Sequence, residues 1–155
     1  MSIQSCTRQL AIHGLALVLA GLLFGFFPPW TPFPRLALSA HIQFVTHGML
    51  LMVLAALVVG VPHRAGSRSL RVMVVSAWLT WLMCLSAVAN AWWGTSQLLP
   101  IAARQAGATG GTEWQEIVVK LGHVPAALGL ILSVALMIVG VARSRGAAES
   151  VKGEA

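Results

Sequence analysis

The chain has 155 residues, 57% of them apolar and only 9% charged, with a mean hydropathy of +0.82. Soluble domains carry about 25% charged residues, so this is the composition of a membrane protein, with no room beside its spans for a second folded domain. The net charge is +6. The basic residues flank apolar runs instead of lining a helix face interleaved with aromatics, which argues against a nucleic-acid partner.

Four runs reach the ~18 apolar residues needed to cross a bilayer. They lie near residues 10–27, 41–61, 70–93 and 117–142, so the expected fold is all-α, an integral-membrane four-helix bundle over residues 1–142. Residues 143–155, RSRGAAESVKGEA, are polar and read as a disordered tail. In such a bundle Arg8, Arg64, Arg68, Arg71, Arg143, Arg145 and Lys152 fall at one end, and Arg35, Arg104 and Lys120 at the other. The positive-inside bias then places both termini and the 62–69 loop in the cytoplasm of a multi-pass protein of the bacterial inner membrane.

In the first run, Gly21 and Gly25 are four apart and share a face that admits a neighbouring helix. His13 is expected about one turn inside the cytoplasmic end. FFPPW, in place of a small-x-small site, marks a retained helix and not a cleaved signal. Pro28, Pro29, Pro32 and Pro34 break the helix, and Arg35 suits a snorkelling anchor.

The second run carries His41 and His47. Ionisable residues inside membrane segments are costly and usually face the bundle interior, so both are functional candidates. Six residues place them about 120° apart around the helix and roughly 9 Å apart in depth, so they cannot grip one metal from one face. Gly48 lets a helix or a flat ligand approach closely.

On the third run, Trp78 and Trp81 share a face near mid-membrane. They are either lipid-facing bulk or the wall of an aromatic-binding cavity, and the second reading makes Trp78 a cofactor-binding candidate. Trp92 and Trp93 suit the interfacial belt, and Asn90 suits a helix–helix hydrogen bond. Cys6 and Cys84 lie at different depths, unsuited to a disulfide. Thr112-x-x-Gln115 reads as a capping box opening the last run, with Glu113 and Glu116 at its positive end. Within that run, Pro125 frees backbone carbonyls beside His123, at a depth similar to His47.

Three separated motifs carry a resemblance: PxPRxxLSAHxxxxxxGM over Pro32–Met49, WGTS over Trp93–Ser96, and PIA at Pro100–Ala102 followed by WQE at Trp114–Glu116. Together they resemble the hydroxylaminobenzene mutases, small membrane proteins related to styrene oxide isomerase. The resemblance implies a redox-neutral rearrangement of a small aromatic substrate, either aryl hydroxylamine to aminophenol or aryl epoxide to aldehyde. It further implies a haem b whose ferric iron is held by His41, and a homotrimer. The His13-Gly14 pair also matches the isomerase. The resemblance departs at His47, where both relatives have Asn, at Thr80, where both have Asn, and at Cys84, near a tyrosine of the isomerase. His47 and Thr80 are therefore candidate catalytic residues that orient the substrate.

Two other classes stay open. A b-type membrane cytochrome would use His47 or His123 as a second axial ligand. A cofactor-free transporter is disfavoured because no carboxylate lies deep in a span to couple ions.

Overall fold

The computed structural model describes residues 1–153, with side chains through Ser144. It is all-helical, with the order α1 (Ile3–Phe24), a 3-10 turn (Pro28–Trp30), α2 (Pro34–Gly60), α3 (Ser67–Trp93), α4 (Pro100–Gln105) and α5 (Glu113–Gly153). α1, α2, α3 and the Glu113–Ser144 part of α5 are each long and apolar enough to cross a membrane.

The helices begin earlier than the apolar runs, because their first turns include polar residues and prolines that hydropathy does not register. Ser2 accepts a hydrogen bond from the Ser5 amide and starts α1. Pro34 takes the first position of α2, where a missing N–H costs nothing. His41 is therefore two turns inside α2, about 10 Å from its start, and not at its mouth. His13 is likewise ten residues into α1, about 15 Å, well beyond the single turn expected. Gly94, at φ 63°, ends α3 by adopting the left-handed conformation. α4 is too short to show a period and was invisible in the hydropathy pattern. α5 runs without a break through residue 142 to Gly153. The tail expected over 143–155 falls mostly on residues outside those whose side chains are described, and Glu154 and Ala155 lie outside altogether.

α1 packs chiefly on α2, and α5 chiefly on α3, giving two hairpins joined through α3. α3 is the central element: half of its apolar window is buried, against 22–33% for the other three. Without a hydrophobic force between helices in lipid, close backbone approach supplies the packing. A Cβ on Gly48 would lie 2.7 Å from the Gly14 carbonyl oxygen, and one on Gly14 would lie 2.8 Å from that of Gly48. Further along the same seam, Gly21 meets Phe44 and Val45, and Gly25 meets the His41 ring. By contrast, α2 and α5 barely touch, which leaves a long cleft between them.

At the end bearing the α1–α2 turn, the loop before α5 is gathered by one carboxylate. Glu116 is 2% exposed and accepts from the amides of Ser96 (2.8 Å), Gln97 (3.1 Å) and Gly111 (3.3 Å). Lys120 donates to the Gln97 side chain beside it. The Thr112 amide donates to Gln115 Oε1 at 2.8 Å, as the capping box requires. Arg35 docks α4 by donating to Gln105 Oε1 at 3.1 Å, so it is a tertiary contact and not a free anchor. Asn90 is a correction as well: its Oδ1 accepts from the amide and hydroxyl of Thr95, both at 2.7 Å. It closes the end of its own helix, because Gly94 folds the chain back onto it.

Candidate active site

The histidines divide by which ring nitrogen the fold has occupied. His63, in the α2–α3 connection, uses both: its Nε2 pairs with the Val58 carbonyl at 3.0 Å and its Nδ1 accepts from the Ala65 amide at 3.1 Å. His13 accepts at Nδ1 from the Trp81 indole N–H at 3.1 Å and meets Trp78 edge to face, ring centroids 4.5 Å apart. These two are held as structural residues.

The other three share one pattern. His41 Nδ1 lies 2.7 Å from the Gly21 carbonyl oxygen, and His47 Nδ1 lies 2.7 Å from that of Gln43. His123 Nδ1 lies 2.9 Å from the Val119 carbonyl oxygen and 3.1 Å from Ser86 Oγ. A carbonyl can only accept, so in each case Nδ1 carries the proton and the neutral ring keeps its lone pair on Nε2. Ser86 agrees with this for His123, since its hydroxyl proton already goes to the Met83 carbonyl at 2.9 Å. An imidazole anchored through Nδ1–H to a backbone carbonyl is also how proteins orient a metal-binding histidine.

The three do not point to one place. His41, half-buried, lies over Gly21 and Gly25 of α1. His47 lies on a different face of α2, in the cleft with α5, in keeping with the 120° offset. That cleft has a volume of about 540 Å³ and is walled by Leu50, Ala127, Ile131, Val134 and Ile138, with His47 the one polar side chain in its lining. An apolar concavity of this size with one convergent polar group suits a small organic molecule. His123 is 6% exposed. It is one turn from Ala127 and thus at the end of the cleft. Its Nε2 and Gln43 Oε1 are buried without a hydrogen-bond partner among the described residues. Gln43 was not singled out in the sequence. Its signal was its place four residues before His47, on the same helix face.

The remaining candidates lie elsewhere. Gly48 faces α1, so of its two possible occupants a helix fills the space. Thr80 is fully buried within the α3 core and spends its hydroxyl on the Ser76 carbonyl at 2.8 Å. Trp78 is 61% exposed beside His13 on the outer surface, while Trp81 packs inward against Phe44. Among the described residues no three His, Cys, Asp or Glu side chains converge, so side chains alone offer no cage for a bare ion. A haem, which brings four nitrogen ligands of its own, asks only for a single oriented imidazole.

The styrene oxide isomerase family model matches residues 6–142, which takes in all four membrane-length helices. The chain is similar to hydroxylaminobenzene mutase HabB of Ectopseudomonas oleovorans, with 32% identity over 136 residues, covering 86% of this chain and 80% of the relative. No solved structure matches it. A match spanning every helix, together with identity at this level over most of both chains, establishes the assignment: the chain belongs to the styrene oxide isomerase family and is an isomerase.

Proposed function

We propose that this isomerase rearranges a small aromatic compound within the membrane without net oxidation, either an aryl hydroxylamine to an aminophenol or an aryl epoxide to an aldehyde. The apolar cleft between α2 and α5 takes the ring, and His47 meets the polar end. The reading further holds that His41 carries a haem b and that three copies of the chain assemble.

The observation that carries the haem proposal is the His41 ring. Its Nδ1–H donates to the Gly21 carbonyl at 2.7 Å, the side chain is half-buried, and its Nε2 makes no hydrogen bond among the described residues. This nitrogen would hold the haem iron. What a haem supplies when bound there is a Lewis-acidic ferric centre that draws electron density from an oxygen while the product's oxidation level stays unchanged. The chain's own part is to hold the ring away from water and to present imidazole acceptors at its heteroatom. The electron-carrier alternative requires a second axial histidine. His41 lies against α1 whereas His47 and His123 lie toward α5, so neither of these histidines of the same chain faces an iron that His41 would hold.

The test is the absorption spectrum of the purified protein, followed by His41→Ala. That variant is expected to insert normally and lose the haem bands. Full retention of haem would move the ligand to another histidine. Rearrangement of phenylhydroxylamine or styrene oxide by the wild type tests the reaction itself. The trimer is tested by the mass of the detergent-solubilised complex.

A further inference from the structure

We propose that His123, Gln43 and His47 form a buried site for a hydrogen-bond donor, which fixes the O–H or N–H end of a small aromatic ligand at the end of the α2–α5 cleft. Burying a polar atom without a partner is costly, and such atoms in native proteins call for an explanation. Here two stand on the helices that flank the cleft, each one turn from a residue of its lining: Gln43 Oε1 from His47 and His123 Nε2 from Ala127. They come from helices that otherwise barely meet.

The sign of the site follows from its anchors. Nδ1–H of His123 is committed to Val119 and Ser86, and Nδ1–H of His47 to Gln43. Neither neutral ring can turn to offer a proton without breaking these bonds, so each presents a lone pair. Only the Gln43 amide is free to present either its oxygen or its nitrogen. An O–H or N–H group can donate to one of these lone pairs and accept from the Gln43 NH2, whereas an ether oxygen has no proton to give either ring. Ser86 acts through His123 as a positioning residue, since its oxygen accepts from the ring and holds it across from α2.

Ring placement rests on the cleft assigned above, so the test separates the two. Full-length protein in lipid nanodiscs is dialysed against phenol and against anisole, which differ in the O–H donor. Lipid partition is subtracted with empty nanodiscs. Wild type is expected to bind phenol about tenfold more tightly, the scale of one hydrogen bond to a buried acceptor. The ratio should fall to about one in both His123→Leu and Gln43→Leu. Equal binding of phenol and anisole by wild type overturns the donor site, as does an undiminished preference in the His123 variant. Ala127→Trp fills the cleft and should abolish binding of both ligands. If it leaves the phenol preference intact, the ring placement fails while the donor site stands. Imidazole nitrogen-15 resonances provide a readout that needs no variant. His123 Nε2 should move on addition of phenol and stay in place with anisole, and a resonance unmoved by phenol overturns the proposal.

Discussion

At the scale of single residues, the deciding fact is which nitrogen of each histidine has been used. A membrane interior offers few polar partners, so a buried imidazole N–H takes whatever backbone carbonyl lies within reach, and the other nitrogen then presents its lone pair to whatever faces it. His41, His47 and His123 all resolve the same way. His47 stands where the family resemblance has asparagine, and an asparagine oxygen can also accept a hydrogen bond. His47→Asn is therefore expected to keep rearrangement activity within about tenfold of wild type, short of the 10²–10⁴-fold that losing a general acid or base costs. A low-spin wild-type spectrum that becomes high-spin in this variant would instead identify His47 as an iron ligand.

Among the elements, the α1–α2 hairpin depends on glycines and the α3–α5 connection on a carboxylate. At Gly48 an added methyl group would meet backbone, the Gly14 carbonyl oxygen at 2.7 Å and the Val18 amide at 2.9 Å. Backbone cannot step aside as a flexible side chain can. Gly48→Ala is expected to destabilise the hairpin by about 1–3 kcal/mol, read as a lower Tm in detergent. Gly60→Ala has open space around it and should be neutral or slightly stabilising through reduced unfolded-state entropy. Equal Tm for the two variants would remove the close-approach account. For the second connection, Glu116→Ala leaves the amides of Ser96, Gln97 and Gly111 without their acceptor. A cost of about 2 kcal/mol is expected, with faster hydrogen exchange at those three amides and unchanged exchange in α1.

For the molecule as a whole, the two ends of the bundle differ in charge. Arg8, Arg64, Arg68, Arg71 and Arg143 lie at the end where the α2–α3 loop meets α5, through Arg64 N–H to the Gly140 carbonyl at 2.9 Å. Arg35, Arg104 and Lys120 lie at the other, beside Glu113 and Glu116. This asymmetry predicts cytoplasmic termini. Reporter fusions at Ala155 and within residues 103–111 should therefore report opposite sides of the membrane, with Ala155 inside. Fusions reporting the same side would contradict four spans, and a reversed pair would contradict the orientation.

The number of spans, the proline-marked break after α1, the capping of α5 and the charge asymmetry were all legible in the sequence. Each depends on local composition, because lipid imposes a fixed length and proline acts on its own neighbours. The helix starts were displaced because polar first turns hide from hydropathy, as at Ser2 and Pro34. The family was legible too, through motifs at Pro32–Met49 and Trp93–Glu116 and a match over residues 6–142. What the tertiary structure alone decided is the azimuth of each residue relative to its neighbours. The 120° between His41 and His47 is a property of one helix, but which of them faces α1 and which faces α5 depends on how the glycine seam docks α1 onto α2. The same docking turned Gly48 toward a helix, left Trp78 on the outer surface, and closed the α3 core over Thr80. It also buried the amide oxygen of Gln43, which periodicity could place on a face, one turn from His47, but not at a depth in the packing.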